Sequence, residues 1–292
     1  MRILSWNIQA GRGADNVLSL ERIAASIAAC EYPDGKQADI ICLQEVARGF
    51  PAVTGGEEID EVAQLQRLFP NHHAIFRPAV DLPALQGYVL DRWQFGSMIL
   101  SRYPIGQVFN HLLTQRGIDG KGMQRHALEV LVHAPGEVLR IVTTHLEFNS
   151  QACRLLQVAQ LKTLPREARP QGDPLDYAIS RHSPYASEPR TSDLILCGDL
   201  NLLVDSPEYA ELTNDSESAP GLVDAWRYLR DSTPHPGTCG WADPTQWPEG
   251  PHCRDFFFVT PALCDRLEWI GADENVRASD HQPIMLMMDR RP

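Results

Sequence analysis

The sequence predicts an α/β (α+β) protein in which two mixed β-sheets pack face to face and helices flank them. Two observations carry this. Strand-like runs of mixed spacing are interleaved with few helical ones, which does not suit a βαβ barrel and does suit two packed sheets under helices. The 292 residues are 43% hydrophobic and show no shift in composition, so residues 1–292 read as one domain with a sizeable core.

Residues 2–7 read as the first strand. Leu20, Ile23, Ala24 and Ile27 recur at helical spacing, so roughly 16–30 is an amphipathic helix. Asp39 to Leu43 is a short apolar strand ending in Gln44-Glu45, and Val62, Leu65 and Phe69 mark a second helix. A strand-rich middle follows at 72–77, 96–101, 107–113, 125–132 and 138–144; segment 125–132 alternates as a half-buried strand does. Asn149 or Ser150 caps a helix whose apolar face is Ala152, Leu155, Leu156 and Ala159, and Pro165 ends it. Residues 165–192, rich in Pro, Arg, Ser and Asp and without a period, read as a long surface-loop insertion. The apolar run 193–201 reads as a buried strand, with Gly198 allowing a close approach. Ser206-Pro207 opens a short helix with proline at its first position. A further helix covers 221–230, a loop carrying Trp241 and Trp247 covers 231–252, and strands at 254–259 and 282–288 finish the chain.

The formal charge is −12, from 26 basic and 38 acidic side chains. That balance disfavours a nucleic-acid partner, since nonspecific affinity for nucleic acid rests on Lys and Arg neutralising phosphates. The seven cysteines, at 30, 42, 153, 197, 239, 253 and 264, form no Cys-x-x-Cys pair. An odd, scattered set argues for reduced thiols and a cytoplasmic setting, and against a disulfide scaffold or structural zinc. No signal-peptide pattern and no run long enough to span a membrane is present.

Function is written at the strand ends. Asp199 and Asn201 lie two apart, so an extended backbone sends both side chains to one face; alone, they read equally as a site or as an Asx-turn. Five more apolar strands end in polar clusters: Trp6-Asn7, Gln44-Glu45, Thr144-His145, Asp255 and Ser279-Asp280-His281. Ligand groups gather outside strand ends in open sheets. Together these segments offer four carboxylates, two imidazoles and two amides, an oxygen-rich set that suits Mg²⁺, with Mn²⁺ as the alternative, better than zinc.

In order, the segments Leu4-Ser5-Trp6-Asn7, Asp39-Ile40-Ile41-Cys42-Leu43-Gln44-Glu45-Val46, Ile99-Leu100-Ser101-Arg102-Tyr103-Pro104-Ile105, Thr144-His145-Leu146, Gly198-Asp199-Leu200-Asn201 and Ser279-Asp280-His281 resemble the endonuclease/exonuclease/phosphatase superfamily. Arg254-Asp255-Phe256-Phe257-Phe258 resembles that family's Arg-Ile-Asp-Tyr-Ile-Phe segment in altered form. The resemblance runs from residue 2 to 288. It implies a DNase I-like four-layer αββα sandwich and a metal-dependent phosphoester hydrolase. It also implies that Glu45 is the principal Mg²⁺ ligand, helped by Asn7 and Asp280. Asp199 and Asn201 would handle the attacking water and hold the phosphate, His281 would pair with Asp255, and His145 would stabilise charge on the phosphate or leaving oxygen. Asp199 and His281 both remain open as the base.

Arg125 and Arg12 are candidate substrate-binding cations; a structural ion pair for Arg125 and a solvated loop for Arg12 are the plainer readings. Trp241 and Trp247 read equally as a stacking platform or as loop anchors. Gln9 stands where DNA-repair abasic endonucleases carry an acidic residue, and His145 where they carry tyrosine. The His form resembles sphingomyelinase-like, deadenylase-like and DNase I-like branches. With no run of alternating basic and aromatic residues to mark a nucleic-acid groove, weight moves to a smaller or lipid phosphoester. A DNA or RNA nuclease is the runner-up, and a noncatalytic binding protein the third reading.

Overall fold

The computed structural model describes residues 1–115, 122–168, 186, 188–216, 219–242 and 244–290. Along the chain run β1 (Arg2–Asn7), α1 (Leu20–Ala29), β2 (Ile40–Arg48), α2 (Pro51–Thr54), α3 (Glu61–Leu68), β3 (His73–Pro83), β4 (Arg92–Ser101), β5 (Ile105–Leu112), β6 (His126–Ala134) and β7 (Glu137–His145). Then come α4 (Gln151–Thr163), β8 (Ile195–Asp199), α5 (Pro207–Thr213), β9 (Val223–Asp224), α6 (Ala225–Arg230), β10 (Asp255–Val259), β11 (Leu267–Ala272) and β12 (Ile284–Met288). Two six-stranded sheets result, in the orders β11-β12-β1-β2-β4-β3 and β5-β6-β7-β8-β10-β9. Each has one parallel pair at its centre, β1 with β2 and β7 with β8, with antiparallel neighbours outside.

Alternation along the strands builds the layers. Ile3, Ile40, Cys42 and Ile99 of the first sheet meet Leu128, Val130, Ile141, Ile195 and Cys197 of the second in one core. The alternate residues Leu4, Trp6, Ile41 and Leu43 turn outward and bury Leu20, Ile23 and Ile27 of α1 and Leu65 of α3. Val142, Leu196, Phe256 and Phe258 do the same for Val158 and Leu161 of α4 and Leu212 of α5. Helix, sheet, sheet and helix make the four-layer αββα sandwich. Strands covered on both faces read as unbroken apolar runs, which is why 193–201 reads as a strand; the strand itself is the shorter Ile195–Asp199.

Side-chain oxygens start the helices: Ser19, Asp60, Ser150 and Ser206 each accept a backbone N–H three residues on. Ser150, not Asn149, is the cap of α4.

Several expectations need correction. Segment 125–132 is not half-buried; β6 is covered on both faces, and its polar Glu129 is held by Arg140. The stretch 221–230 is not one helix: Val223–Asp224 pairs with β10, and Asp224 then caps α6. β11 was not anticipated, and β2 continues past Glu45 to Arg48. At the start of 165–192, a 3-10 turn over Leu164–Glu167 closes α4, and Arg190 reaches Glu129 at 3.4 Å; residues 169–185 and 187, with most of the surface-loop reading, lie outside the described residues. All seven cysteines are unpaired and buried. Among the described residues, no helix is long and apolar enough to cross a membrane.

Candidate active site

The two parallel pairs aim their C-terminal ends at one edge of the sandwich, and the strand-end residues meet there. Registers do the placing. Asn7 lies beside Gln44, His145 beside Asp199, and Asp255 across from Asp199. β12 runs antiparallel to β1, so the turn before it returns Asp280 and His281 to the same edge; Trp6 Nε1 donates to the His281 carbonyl at 2.9 Å, and Ser279 Oγ to the Asn7 carbonyl at 2.7 Å.

Asn7 joins the sheets: its Nδ2 donates to Glu45 Oε1 at 2.9 Å and to Asp199 Oδ2 at 3.0 Å. Asp199 Oδ1 accepts from the Asn201 backbone N–H at 3.0 Å, so the Asx-turn forms, and the same carboxylate faces both histidines. His145 Nε2 is 3.4 Å and His281 Nε2 3.6 Å from Asp199 Oδ2. His281 Nδ1 lies 2.8 Å from Asp255 Oδ2, which commits that nitrogen to the carboxylate. Asn201 Nδ2 donates to the Leu146 carbonyl at 3.0 Å.

The backbone here is forced. Glu45 sits in a β2 irregularity between Leu43 and Val46 at φ 57°, and Asn201 has φ 51°. Left-handed non-glycine residues cost on the order of 1–3 kcal/mol each and persist where the surroundings over-determine them. Gly198, at φ 137°, lies so close to β7 that a Cβ would fall 1.9 Å from the Thr144 carbonyl oxygen.

The electrostatics are those of crowded anions. Burial, then Asp280 and Asp199, pushes the Glu45 carboxyl up to about 7, against the opposing effects of the Asn7 hydrogen bond and His281. Burial likewise raises Asp199 and Asp280. Burial alone would depress His281, yet Asp255 and Asp199 hold its imidazole well above the usual range. Burial, with Arg125 next, drives His145 well below it. Arg125 is buried, its Nε 3.7 Å from Glu147 Oε2; Nε and Nη1 lack a hydrogen-bond partner among the described residues. Burial lowers its pKa while Glu147, Glu45 and Asp199 act to raise it.

The edge thus brings together Asn7, Glu45, His145, Asp199, Asn201, Asp255, Asp280 and His281, with Arg125 beside them. Arg12 is not brought in: its guanidinium donates to Asn16 Oδ1 at 2.9 Å and to the Asn16 and Val53 carbonyls, which makes it a loop tie. Trp247 is 3% exposed and packs on Arg254 and His252, so it anchors its loop. Trp241 lies against Arg277 and donates Nε1 to the Gly237 carbonyl.

Three supporting residues escaped the sequence reading. Thr238 Oγ1 accepts the backbone N–H groups of Arg254 and Asp255, and Arg254 Nη1 donates to the Asn201 carbonyl at 2.9 Å. Glu61 accepts the Ala47 N–H at 2.7 Å. Arg254 had a signal in its motif; Thr238 and Glu61 lie in segments with none.

Two donor sets could take a cation. Ligand atoms of Asp199, Asp255 and His281 all lie within 4.8 Å of one another. Asp255 and His281 are, however, already bound to each other, and Asp199 already accepts from Asn7 and Asn201. Glu45 is one-quarter exposed, and burial and then Asp280 raise its carboxyl, so a cation there would offset both effects.

A family model described as the Endonuclease/Exonuclease/phosphatase family matches residues 4–281. Among solved structures, an endonuclease/exonuclease/phosphatase from Beutenbergia cavernae DSM 12333 is 24% identical with a TM-score of 0.63, over 98% of this chain and 70% of that one. A mannosyl-6-phosphatase from Bacteroides thetaiotaomicron VPI-5482 is 16% identical with a TM-score of 0.64, over 99% of this chain and 100% of that one. D. rerio TDP2 complexed with single strand DNA product is 20% identical with a TM-score of 0.60, over 99% of both chains. At such identities the likeness is one of fold. No curated protein matches.

Proposed function

The chain belongs to the endonuclease/exonuclease/phosphatase family, and from that premise we propose that it hydrolyses phosphoester bonds with a bound Mg²⁺, or Mn²⁺ in its place, by in-line attack of water. The observation that carries the reading is the crowd of carboxylates at one sheet edge facing a buried guanidinium with unpaired N–H groups. That arrangement is costly without ligands and is satisfied by a divalent cation and a phosphate together.

Glu45, with Asn7 and Asp280, would hold the metal, whose positive charge stabilises the charge developing on phosphoryl oxygens. The crowding of these oxygens is the structural ground for that fit. Asp199, oriented through both its oxygens by Asn7 and the Asn201 N–H, receives the proton of the attacking water. His281 has a carboxylate near each ring nitrogen, which favours the imidazolium, so its Nε2–H donates to the phosphate. His145, held neutral by burial and Arg125, donates a hydrogen bond to a phosphoryl or leaving oxygen. The second N–H of the Asn201 amide and the free N–H groups of Arg125 complete the cradle. Phosphoester hydrolysis needs on the order of 20 kcal/mol of barrier lowering. A general base supplies about 3–5 kcal/mol of it, so positioning and charge stabilisation must supply most. The net charge of −12 and the residues at 9 and 145 support a small or lipid phosphoester over a nucleic acid.

The test compares phosphomonoester, phosphodiester, phospholipid and oligonucleotide substrates with Mg²⁺ and with chelator, using Asp199→Ala as the blank. Activity that depends on metal and disappears in the variant is expected. Activity surviving both chelator and Asp199→Ala sinks the mechanism, and no hydrolysis of any substrate returns the noncatalytic reading.

A further inference from the structure

We propose that Glu61 is a positioning residue for the metal ligand Glu45, holding the irregular segment of β2 in the shape that presents the Glu45 carboxylate. The inference rests on the metal-hydrolase reading above.

Pairing of β1 with β2 stops at Asn7 and Gln44, so β2 continues through Glu45 to Arg48 without that neighbour. Residues 59–61 take its place. The Gly49 N–H donates to the Ile59 carbonyl at 2.7 Å, Arg48 bridges to Asp60 in backbone and side chain, and Glu61 Oε2 accepts the Ala47 N–H at 2.7 Å. Glu61 is the first residue of α3 and is fully buried, and its other oxygen has no partner among the described residues. A buried carboxylate with one oxygen unsatisfied is a poor choice for stability alone. Its one contact fixes the backbone two residues after Glu45, whose φ of 57° must be imposed by its surroundings. Removing the acceptor leaves the Ala47 N–H buried and unpaired, which frees the segment to relax from the shape that presents the Glu45 carboxylate.

The full chain is titrated with Mn²⁺, reading both the rise in Tm and the heat of binding, for wild type, Glu61→Gln and Glu61→Met. Glutamine keeps the acceptor and should hold Mn²⁺ within about 2-fold of wild type; methionine removes it and should weaken Mn²⁺ by about 10-fold or more, the size of effect that outer-shell partners have. In a Glu45→Gln background the Glu61→Met change should alter the residual Mn²⁺ affinity less than about 2-fold, because it acts through Glu45. A purely structural role would lower Tm in chelator and leave these affinities alone. Wild-type Mn²⁺ affinity in folded Glu61→Met overturns the proposal, as does a loss in Glu61→Gln equal to that in Glu61→Met. Should Glu61→Met not fold, Glu61→Asp withdraws the acceptor by about 1.5 Å, and wild-type affinity there overturns it equally. A wild type that Mn²⁺ neither stabilises nor binds removes the metal reading itself, and this proposal with it.

Discussion

Replacing Gly198 with alanine would set a methyl carbon 1.9 Å from the Thr144 carbonyl oxygen, where real Cβ contacts essentially never fall below 3.0 Å. Both atoms are backbone-anchored, so no side chain can swing aside. β7 and β8 must part by roughly 1 Å, a misplacement of the size that costs about 10²-fold in rate at a reacting centre. The parting falls one residue before His145 and Asp199, which the same ladder holds side by side. Stability suffers twice. Overpacking costs about 1–3 kcal/mol, and an L-residue at φ 137° costs about another 1–3 kcal/mol. Against a typical total of roughly 5–15 kcal/mol that is severe. Urea unfolding followed by tryptophan fluorescence measures the stability loss, and kcat/KM on whichever phosphoester the wild type cleaves measures the rate loss. Gly35→Ala is the control, since Gly35 has φ 69° with nothing within 4 Å of a new Cβ; it should lose about 1 kcal/mol and no activity. A Gly198→Ala protein within about 0.5 kcal/mol of wild type and equally active would refute the close approach as the reason for glycine.

Arg125→Met should lower kcat about 10²-fold, as loss of one fixed donor does, and should lower Tm in chelator, because it leaves the buried Glu147 carboxylate without its cation; unchanged kcat would remove Arg125 from the site. In metal-free protein the Glu45 carboxyl is raised to about 7, so it contributes stability below its ordinary value near 4.5 that is lost as pH rises through about 7. Metal binding to the ionised form offsets that loss, so the Tm gap between Mn²⁺ and chelator should widen from pH 5 to pH 7.5, and in Glu45→Gln it should shrink and flatten; a pH-independent gap contradicts the ligand role. Glu129 is the opposite case. Burial raises its carboxyl, but hydrogen bonds from His111 and Arg140 outweigh that and hold it at about 2. It therefore contributes stability present above about 4.5 and lost as pH falls toward 2, roughly 3 kcal/mol in all. Glu129→Gln strands the buried Arg140 guanidinium and should cost about 3–5 kcal/mol at pH 7, with a shallower acid limb in melts from pH 5 to 2.5; wild-type stability would rule out the buried pair.

The site was legible wherever a residue both ended an apolar strand and belonged to a spaced motif. Asn7, Glu45, His145, Asp199, Asp255 and His281 stood out because each follows or opens a run such as Ile40–Leu43 or Leu194–Cys197 that is covered on both sides. Asp199 and Asn201 were ambiguous between turn and site, and the structure shows that the Asx-turn and the inward-facing carboxylate coexist. Thr238 and Glu61 were opaque for a common reason. Each acts by hydrogen bonds to backbone groups brought near by folding, and no local pattern marks such partners. Arg12 took its plainer reading, since an arginine beyond a strand end can meet an anion or, as here, the oxygens of Asn16 and Val53.

By itself the sequence determined most of the strand segments, that the run leading to Asp199 is buried, and which polar residues lie at the strand ends. Those follow from periodicity and apolar run length, which are local. Only the tertiary structure decided that Asn7 of one sheet ties Glu45 to Asp199 of the other, that β2 bends through a left-handed Glu45 under Glu61, and that Arg125 and not Arg12 reaches the cluster. Each of these depends on how the two sheets stack and in what register, and that is set by the packing of the whole core rather than by any one stretch of chain.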